Sequence, residues 1–452
     1  MSDPDADLTT ISAHPERWHR LALLLCWHVA ACCVSLSYAA ASFPGIVEFE
    51  RANVLAAILR TLPLIAVSAV FMVSRFSFGY FVGFYFYTMI FGYLWFIEFS
   101  LLPYNHSLAM VSIFASALAF LAPALFVTSP IRARLDLSAR GFDLLLFAIL
   151  IFAALLIAAA AFYNFRLVGI SEIYRFREEL AFPAPLRYAI GITSNTLLPF
   201  AFAGFLLRGR ILQAGLALAL MLLFYPVTLS KLALFAPLWL LFLVFLCRMT
   251  EARSAVILSL VLPISVGLAA LFLAKAELVP IKWAAQYFGL VNTRMVAMPS
   301  IALEVYNNFF STHPLTHFCQ INVLKRLIDC PYNEQLSILM RVYNQGAFNA
   351  SLFATEGIAS VGPWLAPLSA FGCGLVIAIG NHLSSGLPPK FILLSAGILP
   401  QILLNVPLTT TLLTHGAGIL FLLWYVTPRS IFERRTDQTS SLVASGKLSQ
   451  EP

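Results

Sequence analysis

Charge is scarce in this chain. Only 11% of its 452 residues are Asp, Glu, Lys or Arg, where a soluble domain carries about 25%. That scarcity excludes a soluble enzyme. With 60% hydrophobic residues the chain is not disordered either. Acids are the rarer sign, 21 against 28 basic residues, and none lies deep in an apolar run; Asp143 and Glu98 stand at run edges. Cysteine is also sparse, seven in all, which excludes a secreted disulfide scaffold. The N-terminus has Asp3, Asp5 and Asp7 in place of the basic start of a signal peptide, so the first apolar run reads as an uncleaved span.

What is present is a succession of long apolar runs, with a mean hydropathy of +0.86. A helix needs about 20 apolar residues to cross a bilayer. The runs predict an all-α polytopic membrane protein of twelve spans: 20–43, 54–74, 77–101, 107–128, 142–163, 188–207, 211–229, 232–247, 254–274, 358–380, 391–411 and 412–428. Residues 1–428 form a single transmembrane domain, and 429–452 a loose polar tail. The net charge of +7 therefore concerns a membrane and not a nucleic acid. With the N-terminus inside, 15 of the 28 basic residues fall inside and twelve outside. Six of the twelve belong to the long segment 275–357, which the charge rule exempts, so both ends are expected inside.

The polar chemistry then falls outside. Loop 164–187 holds Arg166, Arg175, Arg177 and Arg187 with Glu172, Glu178 and Glu179. Four arginines there run against the topology rule. Either they pair locally, with Arg175 and Glu179 four apart, or they form an anion site, since the guanidinium fork matches phosphate. Segment 275–357 holds Arg294 and Arg341, the acids Glu304 and Glu356, and His313 four residues before His317. No Cys or acid completes a metal set around those histidines. His313 is a turn residue before Pro314 or a base. Cys319 and Cys330 are either a disulfide or two buried thiols. Lys231 occupies a tight external turn, as an anchor or as a cation facing lipid headgroups. Arg60 lies within a span, either snorkelling outward or serving a headgroup. Arg175 and Gly191, and likewise Arg341 and Gly357, each enclose fifteen residues.

With its two Arg-x15-Gly spacings, the Ser230-Lys231 turn, the stretch from Arg294 through Asn307-Asn308-Phe309-Phe310 and the run 344–349 before Glu356-Gly357, the chain resembles the Wzy-type O-antigen polymerases. The resemblance covers most of the chain as architecture. It implies a GT-C-like glycosyltransferase of the bacterial inner membrane, with its site facing the periplasm. Its substrates would be undecaprenyl-pyrophosphate-linked oligosaccharides, with a chain-length regulator as a plausible partner. The growing glycan would pass to the non-reducing end of a new lipid-linked unit. No metal or other cofactor is expected, and Glu48-Phe49-Glu50 reads as loop solvation. Without a metal, fixed cations must stabilise the departing pyrophosphate. Arg175, Arg177, Arg187, Lys231, Arg294 and Arg341 are the candidates, with Glu178, Glu304, His313 and Glu356 for acid–base work. Spans 77–101 and 142–163 are candidates for a groove holding lipid tails. An O-antigen ligase is similar in span count and loop size. A flippase would instead need cations on several spans, where this chain has only Arg60.

Overall fold

The computed structural model describes residues 15–131, 135–169, 172, 175–176, 180–321, 324–343, 348 and 350–432. Among them every regular element is helical, and one isolated bridge joins Val47 to Ser100. The first five long helices are α1 (Pro15–Ala39), α2 (Val54–Val67), α3 (Phe78–Phe96), α4 (His106–Phe126) and α5 (Ala139–Ala161). Next, α6 (Ala184–Ile192) continues through a π-helical segment, Thr193–Leu197, into α7 (Leu198–Leu207). Then come α8 (Ile211–Thr228), α9 (Lys231–Met249) and α10 (Ala252–Lys275). A second continuous rod comes after them: α11 (Ile281–Phe288), a π segment Gly289–Ala297, and α12 (Met298–Phe310). After the short α13 (Leu336–Val342), a third π segment, Phe353–Ala359, opens α14 (Ser360–Ser384). The chain closes with α15 (Pro389–Ser395), α16 (Leu399–Leu403), α17 (Leu408–Thr414) and α18 (Ala417–Val426).

Among the described residues ten helices are long and apolar enough to cross a membrane, and an eleventh span results if α17 and α18, bent by 62°, form one broken span. The polytopic all-α expectation holds, but the span expected at 391–411 does not form as one helix. It breaks between α15 and α16, where the Gly397 carbonyl leaves the helical ladder and accepts the Trp239 indole N–H at 2.8 Å. Broken helices are tolerated at membrane depth where protein replaces the lost partner.

The two helices expected to hold lipid tails do something else. α3 is apolar on every side, FGYFVGFYFYTMIFGYLWF, and all its residues are buried. A helix without a polar face belongs at the centre of a bundle, and α2, α4, α12 and α14 surround it. α5 lies at the periphery, with Leu144 and Ile151 pointing outward at 72% and 61% exposure. Its polar end is tied to α7 and the following turn by Asp143, which pairs with Arg208 and with Arg210. The most extensive helix pairing is α4 with α14. A Cβ at Gly374 would stand 2.5 Å from the Phe120 carbonyl oxygen, so a small residue is what lets these backbones meet.

Candidate functional site

A cavity of about 1680 Å3 is bounded by α6, α9, α10, α11, α16, α17 and, from the long loop, residues between Thr316 and Ile321 and between Lys325 and Ser337. Its apolar wall comes from one face of α9. Lys231, Phe235, Leu238 and Phe242 recur at helical spacing and all line it. Leu262 and Val266 of α10 extend that wall. Lys231 is placed at the head of the stripe by the turn before it, where buried Leu229 adopts φ 48 as the C-cap of α8. Arg294 enters from the π segment after α11, together with Leu290, Val291 and Met295. Arg187 enters from the first turn of α6. The cavity thus combines an apolar stripe with Arg187, Lys231 and Arg294, three of the six cations expected from sequence.

All three π-helical segments of the described residues contribute to this cavity. Ser194 and Asn195 come from the first, Arg294 from the second and Thr355 from the third. A π turn inserts a residue and rotates the helix beyond it, and such turns concentrate at functional sites. One turn after Arg187, Gly191 brings α6 against α17: a Cβ there would stand 2.6 Å from the Thr414 carbonyl oxygen. Gly191 belongs to one of the two Arg-x15-Gly spacings. Gly357 of the other has ordinary room.

The remaining expected residues lie elsewhere. Arg341 is exposed in the last turn of α13, beyond Leu336 and Ser337, which do line the cavity. Arg175 is also outside the lining; its guanidinium lies 5.6 Å from the Phe176 ring, which Arg166 approaches at 5.4 Å. Arg177, Glu178 and Glu179 lie outside the described residues. His313 stacks on Phe309 with ring centroids 3.9 Å apart and does not line the cavity. It stands just past the end of α12, with Nδ1 2.9 Å from the Phe309 carbonyl oxygen. Arg60 pairs with Glu98 at 2.7 Å, with the arginine side chain still 40% exposed.

The two described carboxyl candidates are buried and outside the lining. Glu304 is fully buried on α12, which is not one of the candidate spans. Tyr104 donates a hydrogen bond to its Oε2, and Tyr104 in turn lies 3.2 Å from the Tyr93 hydroxyl. Burial pushes the Glu304 carboxyl up to about 7, against the opposing pull of the Tyr104 and Ser100 hydroxyls. Glu356 is buried behind the cavity wall. Its Oε1 accepts the Thr409 N–H at 2.9 Å and the Thr409 hydroxyl at 2.8 Å. Thr409 itself lines the cavity, so Glu356 acts by fixing the start of α17.

Several lining residues went unread in the sequence. Lys325, Gln401, Asn405, Thr409 and His415 all face the cavity. Thr409, Thr410 and Thr411 stand at the expected junction of spans 391–411 and 412–428, and that position hid them. Cys319 and Cys330 are disulfide-bonded, with Cα atoms 5.5 Å apart, and both border the cavity. The bond pins the loop that supplies Gln320 and Lys325. Among the described residues no three His, Cys, Asp or Glu groups come together as a metal-ligand set. Compared with protein-family models, with curated proteins and with solved structures, the chain matches none.

Proposed function

We propose that this protein is a membrane glycosyltransferase that polymerises oligosaccharide units carried on undecaprenyl pyrophosphate. The observation that carries the reading is the joining of an apolar stripe and, among the described residues, four basic side chains, Arg187, Lys231, Arg294 and Lys325, against the single acid Glu334 in one cavity. A lipid pyrophosphate has that same division, an isoprenoid chain ending in a dense anion. The tail lies along Phe235, Leu238 and Phe242. The pyrophosphate meets Arg187, Lys231 and Arg294.

In the reaction, a hydroxyl oxygen of the incoming unit forms a bond to C1 of the donor sugar. The C1–O bond to the carrier breaks, and undecaprenyl pyrophosphate leaves with the bonding electrons. The hydroxyl proton passes to solvent or a base. Charge grows on the leaving group, so cations fixed around it lower the barrier. Arginine suits this role because its planar fork binds phosphate oxygens in pairs. The excess of basic residues in the inside loops supports placing the cavity at the periplasmic face of a bacterial inner membrane, where a chain-length regulator would also act.

The test uses the full chain in nanodiscs with a defined undecaprenyl-pyrophosphate repeat unit and no other acceptor. A ladder of increasing glycan length is expected. Transfer only after lipid A core is added would make the protein a ligase. Movement of the lipid-linked unit across the bilayer without any transfer would make it an exporter.

A further inference from the structure

The hydroxyl groups on one side of the cavity share a restriction. A hydroxyl has one proton to donate and lone pairs with which to accept. Ser194 Oγ donates to the Ile190 carbonyl at 2.8 Å. Thr414 Oγ1 donates to the Thr410 carbonyl at 2.8 Å and lies 2.8 Å from His415 Nδ1, which leaves it one lone pair for a ligand when that nitrogen carries its proton. Thr409 Oγ1 donates to Glu356 Oε1 at 2.8 Å. Carbonyl and carboxylate oxygens that receive these bonds have no proton to return, so each hydroxyl proton is committed within the protein. All three side chains line the cavity.

They also belong to one wall. Gly191, one turn before Ser194, packs directly on the Thr414 carbonyl. Thr196 Oγ1 donates to the His415 carbonyl at 2.7 Å, which ties the same π segment to the end of α17. Hydroxyls that bond back to the preceding turn are ordinary in helices. Here two of them, Ser194 and Thr414, meet a third hydroxyl, Thr409, that is held by the buried Glu356 carboxyl.

The consequence is a division of hydrogen-bonding character. Arg187, Lys231 and Arg294 can only donate. The hydroxyls of Ser194, Thr409 and Thr414 can only accept. A phosphate, which offers acceptors, suits the first group and gains nothing from the second. A ligand for the second must bring its own donors, in number and close together. A sugar ring does.

We infer that Ser194, Thr409 and Thr414 form a subsite for the hydroxyls of a sugar, on the α6–α17 side of the cavity, where Arg187 stands at the head of α6, while Lys231 and Arg294 come from α9 and the segment after α11. This rests on the polymerase reading and adds where in the cavity the glycan lies. Glu356 is a positioning residue for this wall, because it takes the Thr409 proton and so leaves that oxygen as an acceptor.

The subsite is tested apart from the pyrophosphate chemistry. Saturation-transfer NMR on the full chain in nanodiscs compares hexyl glucoside with triethylene glycol hexyl ether, against empty discs. The glucoside head offers several donors and the ether head almost none. Saturable binding is expected for the glucoside above the ether. Ser194→Ala/Thr414→Val, which leaves Glu356 with its partner, is expected to weaken it at least about fivefold through two lost acceptors. Undecaprenyl pyrophosphate binding should stay within about twofold in the same variant, which also verifies its fold. Thr414→Val alone is the fallback should the double variant fail to fold. Equal binding of the two heads by the unaltered protein, or an unchanged glucoside affinity in a folded variant, would overturn the inference. Loss of pyrophosphate binding by the unaltered protein, with the glucoside preference intact, would remove the polymerase reading and leave the sugar wall standing.

Discussion

Arg294 and Arg341 look alike in the sequence and stand apart in the structure, so they make a discriminating pair. Arg294 lines the cavity from a π segment, while Arg341 is exposed in the last turn of α13 and outside the lining. Two unit charges about 4 Å apart interact by about 4 kcal/mol at an effective dielectric near 20, and by about 1 kcal/mol in bulk water. Arg294 faces an open cavity, so its effect on a departing pyrophosphate belongs between these limits, at about 2.7 kcal/mol. That corresponds to about a hundredfold in rate. Arg294→Ala should therefore cut turnover about a hundredfold, while Arg341→Ala, screened by solvent, should cost less than about threefold. The assay is the initial rate of glycan extension by purified variants in nanodiscs, each normalised to folded protein. Losses of equal size in both variants would refute the argument, because they would mean that cavity lining does not select the working cations. Full activity in Arg294→Ala would refute it more directly.

The packing makes two other variants informative. The Glu304 carboxyl is pushed by burial from its ordinary 4.5 up to about 7 in the folded protein, so its neutral form favours the folded state. That contribution is complete below the unfolded value and is lost as pH rises from there through about 7, at a cost of about 3 kcal/mol by linkage. Glu304→Gln should therefore raise the unfolding midpoint in detergent at pH 8 and leave it unchanged near pH 4; an equal shift at both values would contradict the buried neutral carboxyl. Gly191→Ala would place a Cβ 2.6 Å from the Thr414 carbonyl, forcing α6 from α17. It should cost about 1–3 kcal/mol of stability and widen the sugar wall, read as a lowered melting temperature together with weaker hexyl glucoside binding. An unchanged melting temperature would show that the two helices have slack.

By itself the sequence determined the class of structure. Runs of about 20 apolar residues admit only membrane helices, and nine of the twelve expected spans lie between α1 and α10, where nine candidate spans stand among the described residues. It also marked Lys231, whose position at the head of the 231, 235, 238 and 242 stripe is a matter of helical periodicity. Only the tertiary structure decided which polar groups share a space. Hydropathy does not distinguish an apolar face turned to lipid from one turned to protein, because the two environments are equally apolar. So α3, read as lipid-facing, is central, and the break between α15 and α16 was invisible until Trp239 supplied a partner for Gly397. The fates of the charged residues were hidden for a related reason. Arg187, Arg294 and Arg341 have the same composition context, and the π turns and loop packing that bring the first two into the cavity and leave the third outside act between segments far apart in the chain.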